Sequence, residues 1–263
     1  MALKRSWRRS SENVRNYLNG SQRKGYVVIL AAATPITTRI FRVTGWSAWI
    51  SAALSVVSGV FLFLFYGLEV PRMATAGPNA PQTFGTLNDI ATLFQCLCAL
   101  PLTVALHRLA PPSRWRFSAI NMAIGVVGLL GVVLVQGLLV LRMMSFDVNL
   151  PLVMAAFGLF GAWMLLANRL AHASGAFSRR LARLGQVTGL AFVLMSVTVL
   201  AFELIAWRDP SALERLGTLI QQNPALAGAI VIVLIPLVLA WCVAVPLWLI
   251  GVGRRLTTLA SLR

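Results

Sequence analysis

Six apolar stretches punctuated by short polar breaks dominate the chain. They lie near residues 45–68, 87–106, 118–141, 150–167, 185–207 and 225–250. A helix crosses a hydrocarbon layer of roughly 30 Å in about 17–25 residues, and each stretch is of that order. Lipid offers no partners to backbone N–H and C=O groups, so such segments cross as helices. The pattern predicts an all-α fold, a polytopic transmembrane helix bundle of six spans over residues 45–253. A basic amphipathic N-terminal arm, 1–44, precedes it, and a short basic tail, 254–263, follows.

Small and polar residues inside the spans fall into stripes, and a stripe marks the side of a helix that faces protein. Ser47, Ser51, Ser55 and Gly59 recur every four residues, with Ser51, Ser58 and Glu69 close to one line. Asp89, Thr92, Cys96, Ala99, Thr103 and His107 share a face of the second span, and Asn121, Gly125, Gly128 and Gln136 a face of the third. In the fifth, Gly185, Gly189, Phe192, Ser196 and Glu203 fall within about 60° of arc at 3.6 residues per turn. Four of these faces bring an ionisable group to the same end of the bundle: Glu69, Asp89, Arg142 and Glu203. They are the candidate ligand-binding residues, forming a polar vestibule. The competing expectation is a structural cluster in which Arg142 pairs with a carboxylate, Glu203 first. Pro236 and Pro246 predict kinks in the last span.

The arm begins "MALKRSWRRSSENVRNYLNG". On a helical wheel Leu3, Trp7, Val14, Tyr17 and Leu18 gather on one side, opposite Lys4, Arg5, Arg8, Arg9 and Arg15. A basic amphipathic helix carrying one Trp is suited to an anionic lipid surface, so Trp7 and these five cations are the expected membrane contacts. The apolar run "YVVILAAATP" is too short to span, and residues 26–44 read as an interfacial segment.

Composition agrees with lipid as the solvent: 58% of residues are hydrophobic and 11% charged, with a mean hydropathy of +0.80. The net charge of +16 would suit nucleic acid if it were spread over a surface, but it is not. Nineteen of the 23 Lys and Arg fall before the first span, in 108–116, in 169–183 or after the last span, while six of the seven acids fall on the other side. Lys and Arg concentrate in cytoplasmic loops. Both termini are therefore expected in the cytoplasm, in a bacterial plasma (inner) membrane, with anionic lipids and no nucleic acid as partners. A protein partner or homo-oligomer is compatible with the stripes.

Three cysteines, Cys96, Cys98 and Cys242, sit inside the spans with neither disulfide nor zinc spacing. The chain has no HExxH helix, no P-loop and no GxSxG elbow, so no catalytic residue and no cofactor is expected, and the protein reads as non-enzymatic. The one cofactor alternative is a haem held by His107 and His172, the only two histidines, both at basic helix ends.

"RLA" occurs at 108–110 and again at 169–171, each followed by a basic loop and a Gly-bearing helix, which suggests two parallel hairpins. The stretch "FGTLNDIATLFQCLCALPLTVALHRL", with its "LND" start and "LHRL" end, resembles a family of uncharacterised bacterial multipass membrane proteins over roughly residues 40–207. That resemblance implies the multispan topology and no activity; the basic arm is not part of it. The function expected is that of a sensor-like or accessory membrane bundle. The alternatives are a transporter or a small-ligand or lipid-binding protein working through the vestibule, and, below these, a bis-His haem electron carrier.

Overall fold

The computed structural model describes residues 35–76, 82–209 and 238–261, together with 211, 215, 218, 219, 222 and 223. Most of the described residues fall in the helices α1 (Pro35–Leu64), α2 (Val70–Ala76), α3 (Thr83–Arg108), α4 (Trp115–Val140), α5 (Phe146–Ala173), α6 (Arg179–Arg208) and α7 (Val245–Ser261). No strand occurs among them. Six segments are long and apolar enough to cross a membrane, the first running through α1 into α2 and the last from Trp241 to Ser261. The arm residues Trp7, Lys4, Arg5, Arg8, Arg9 and Arg15 lie outside the described residues, as does Pro236.

Two boundaries differ from the hydropathy reading. Residues 35–44 are not a separate interfacial segment: α1 starts at Pro35, and Phe41 and Thr44 are already buried. At the other end Arg254 and Arg255 sit on α7, because the helix keeps an apolar side through Leu256, Leu259 and Ala260, all buried. Hydropathy windows miss both, since charges on one face dilute an average while the other face still packs.

Local chemistry explains the breaks. Pro111 and Pro112 end α3 and pass through a single 3-10 turn, Pro112–Arg114, into α4. Past α4, Arg142 takes a left-handed φ of 57°. The Met143 N–H then reaches the Leu138 carbonyl at 2.8 Å and the Arg142 N–H the Leu139 carbonyl at 2.9 Å. This is the Schellman arrangement, in which a glycine normally holds the left-handed position. Gly175, with φ 73°, does so after α5, and Ser178 caps α6 by accepting the Leu181 N–H. Two π-helical turns, Phe65–Glu69 and Ala240–Ala244, each precede a proline, Pro71 and Pro246. A proline has no N–H for the carbonyl four residues back and crowds it, so the preceding turn widens.

Consecutive spans pack antiparallel, α1 on α3, α3 on α4, α4 on α5 and α5 on α6, and α7 closes the ring against α1 and α6. The centre is filled by α5, whose Phe157, Phe160, Trp163, Met164 and Asn168 are buried. Small residues on its neighbours seat these bulky groups: a Cβ at Gly125 would lie 2.5 Å from the Trp163 ring, and one at Gly185 2.3 Å from the Asn168 amide. Trp163 meets Trp248 of α7 at 6.3 Å, and Phe157 meets Phe192 of α6 at 5.4 Å and Trp241 at 4.9 Å. The Trp248 indole N–H donates to the Asn168 carbonyl oxygen at 2.9 Å. Lipid tails are as apolar as leucine, so close packing and hydrogen bonds, not burial from water, hold such helices together.

This up-and-down course sorts the charges. Arg39, Arg42, Arg108, Arg114, Arg116, Arg169, Arg179, Arg180, Arg183, Arg254 and Arg255 gather at one end, which carries no described acid. Glu69, Asp89, Asp147, Glu203 and Asp209 lie toward the other, with Arg72, Arg142, Arg208 and Arg215. These are called the basic and acidic ends below.

Candidate functional site

The α1 stripe faces protein, as its spacing predicts, and the helix it meets is α3. Ser47 donates to the Cys98 carbonyl and Ser51 to the Gln95 carbonyl, the latter at 3.0 Å. Nearer the acidic end the partners become side chains: Ser58 donates to Asn88 Oδ1 at 2.7 Å and shares a hydrogen bond with the Thr92 hydroxyl at 2.9 Å.

From Asn88 the chain of contacts turns across the bundle. Asn88 Nδ2 lies 3.4 Å from Asp89 Oδ1, and Gln136 Nε2 of α4 lies 3.3 Å from the same oxygen. Gln136 Oε1 in turn faces the Asn149 amide of α5 at 3.4 Å, and Asn149 also donates to the Val135 carbonyl at 3.1 Å. One polar seam thus joins α1, α3, α4 and α5. Ser58, Thr92, Gln136 and Asn149 are buried, while Asn88 and Asp89 are partly exposed. Asp89 stands six residues into α3, about 9 Å along its axis at 1.5 Å per residue, so the seam lies a turn or two below the acidic end.

Glu69 does something else. It is 4% exposed and folds over the start of α3, accepting the Phe84 N–H at 2.9 and 3.1 Å and the Gly85 N–H at 3.1 Å. Gln82, at the capping position, makes no side-chain cap bond. A carboxylate from another helix therefore satisfies the free N–H groups and meets the positive end of the helix dipole. The π turn that carries Glu69 brings it there, with the Phe65 ring against Gly85.

Arg142 and Glu203 do not join the seam, and they do not pair. Among the described residues the one ion pair is Asp209 with Arg215. The expectation of a Glu203–Arg142 pair fails for two reasons. First, α4 ends at Val140, so the helical wheel no longer applies at Arg142, which is exposed beyond the Schellman turn. Second, the buried face of α6 ends at Ser196, whose hydroxyl donates to the Met154 carbonyl at 2.6 Å. Val199 still packs against the core; beyond it Phe202, Leu204 and Trp207 are exposed around a half-buried Glu203. Asp209 is held locally: bonds from the Ser211 hydroxyl and then from Arg215 keep its carboxyl below the usual range.

The two histidines are each engaged by residues that follow them closely in the chain, His107 by the start of α4 and His172 by the α5–α6 loop. His107 Nδ1 lies 3.0 Å from the Ser118 hydroxyl, with the ring edge-on to Trp115 at 5.1 Å. His172 Nδ1 lies 3.2 Å from the Phe177 carbonyl. No cluster of three or more His, Cys, Asp or Glu side chains occurs among the described residues.

Asn149 and Asn168 carry more of the interior than the sequence suggested. Asn149 follows Asp147 by two residues and Asn168 directly precedes Arg169, and neither belongs to a stripe of small residues. Among the described residues three buried side-chain atoms have no hydrogen-bond partner: Ser55 Oγ, Gln95 Oε1 and Asn121 Oδ1. The first two continue the α1–α3 side of the seam, Ser55 one turn from Ser58 and Gln95 one turn from Thr92. In comparisons with known proteins no family model, no curated protein and no solved structure matches the chain.

Proposed function

We propose that the protein is a non-enzymatic, sensor-like membrane bundle that takes up a small polar solute in the seam around Asp89, entering from the acidic end. One observation supports this reading above the others. An intramembrane carboxylate is expensive unless a partner offsets it, and among the described residues Asp89 meets only two long amide contacts and no cation. A seam built solely to lock helices would manage with the serine-to-carbonyl bonds already present between α1 and α3, each worth about 0.6 kcal/mol on average. The carboxylate's one bond between helices is the 3.3 Å contact from Gln136 that ties α3 to α4, and a neutral amide at position 89 would make the same tie without the cost of a charge.

In this reading Ser58, Asn88, Thr92, Gln136 and Asn149 present donors and acceptors to the solute. Glu69 keeps the mouth of the site in shape by capping α3. Orientation in a plasma membrane with the basic end in the cytoplasm would make the site face outward, following the Lys and Arg bias.

Labelling of Asn88→Cys in intact cells tests the reading, in a background where Cys96, Cys98 and Cys242 are replaced by alanine. A small membrane-impermeant thiol reagent added outside should modify position 88. Protection equal to that of Ala48→Cys, a fully buried control, would mean a closed structural lock and would end the proposal.

A further inference from the structure

The chemistry of the seam narrows the solute, a step that rests on the reading above. Its acceptors are all oxygen: the two Asp89 carboxylate oxygens, the hydroxyls of Ser58 and Thr92, and the side-chain carbonyls of Asn88 and Gln136, which now accept from Ser58 and Asn149. No nitrogen base or thiolate takes part in the network. Oxygen-only surroundings suit hard cations, not transition metals. One carboxylate balances one positive charge; a divalent ion would leave a net charge where charge is poorly solvated.

The amides are arranged to change sides. Asn88 and Gln136 now turn their NH2 groups toward Asp89 Oδ1, at 3.4 and 3.3 Å, which are long for bonds to a carboxylate. Rotating each amide by 180° turns two carbonyl oxygens toward the space beside Asp89; Asn88 Nδ2 then donates to the Ser58 oxygen, and Asn149 turns with Gln136, giving up its bond to the Val135 carbonyl so that two NH2 groups do not meet. A second observation is independent of the carboxylate. On the same α1–α3 face, one turn deeper, Ser55 Oγ is fully buried and Gln95 Oε1 sits on a side chain 7% exposed, and neither has a partner. A hydroxyl and an amide oxygen are thus left over in a place where polar groups are costly to strand.

We infer that the seam is a binding site for a dehydrated monovalent cation, sodium or potassium, held by Asp89, the turned amides of Asn88 and Gln136, and the Ser58 and Thr92 hydroxyls. The rival partner for Asp89 is Arg142, swung in from the loop beyond α4.

The test is thermal unfolding of the purified full-length protein in detergent, in sodium, potassium or N-methyl-D-glucamine chloride at equal ionic strength. Binding to the folded state raises the midpoint. A rise of at least about 2 °C in sodium or potassium over N-methyl-D-glucamine is expected, and the arm with the larger rise names the ion. Asp89→Asn and Gln136→Leu should each abolish the difference, and Arg142→Gln should keep it. Equal midpoints in all three salts, the outcome if Asp89 simply carries a proton, would overturn the inference. So would a difference that persists in Asp89→Asn or vanishes in Arg142→Gln. Should Asp89→Asn fail to fold, retention of radioactive sodium or rubidium by the wild-type protein decides, and no retention rejects the site. Equal midpoints together with outside labelling of Asn88→Cys would reject the cation and leave the seam as a solute site. Equal midpoints without labelling reject both.

Discussion

Glu69 and Glu203 look alike in the sequence, each an acid at the end of a small-residue stripe, and the structure treats them differently. Glu69 accepts three N–H contacts at the start of α3. Glu203 is half-buried past the last packed residue of α6. Losing a helix cap costs about 1–2 kcal/mol, so Glu69→Ala should lower stability by that amount in a reversible unfolding titration. Glu203→Gln should stay within about 0.5 kcal/mol, as surface changes do. Arg142 gives the sharper contrast. A non-glycine residue in the left-handed region costs about 1–2 kcal/mol, so Arg142→Gly should stabilise the protein by up to about 1 kcal/mol. A buried Arg142–Glu203 pair would give the opposite sign, because removing one partner would strand the other. The stripes themselves were legible: Ser51, Ser55 and Ser58, Thr92 and Thr103, Asn121 and Gln136 are all buried. What failed was extrapolation past a helix end, since a wheel has no means of seeing where Val140 stops α4 or where α6 parts from α5. Asn168, whose polar neighbour at helical spacing is His172 at the helix end, gave no signal of its role, because its partner Trp248 lies 80 residues away.

At the scale of elements, α5 organises the bundle and glycines set its distances. Gly161 of α5 and Gly189 of α6 face each other so closely that a Cβ on either would lie 2.6 Å from the other's carbonyl oxygen. Backbone cannot step aside as a flexible side chain does. Gly161→Ala and Gly189→Ala should therefore each cost about 1–3 kcal/mol, as overpacking does. The control is Gly137→Ala, whose new methyl would meet only Leu93 at 3.6 Å. That change should be neutral or gain up to about 1 kcal/mol from helix propensity. Loss at Gly137 equal to that at Gly161 and Gly189 would mean that the close α5–α6 crossing is not what these glycines supply. Gly185 and Gly189 could be assigned to a protein-facing side from spacing alone. Their partners could not, because every span in a bundle offers some apolar face to every other. The π turns show a similar limit: Pro71 and Pro246 announce a disturbed turn, and whether it becomes a kink or a widened turn depends on what packs around it.

For the whole molecule, the up-and-down order of α1 and α3–α7 carries eleven described arginines to one end and every described acid toward the other. The proposed site lies within two turns of the acidic end, so its function depends on which side of the membrane that end occupies. The orientation proposed from the Lys and Arg bias has the basic end in the cytoplasm. Reporter fusions measure this directly. Fusions after residues 80 and 215 should be active only outside the cytoplasm, and fusions after 112 and 178 only inside. An inside signal at residue 80 would put Asp89 and its amides at the cytoplasmic face and contradict an outward-facing seam.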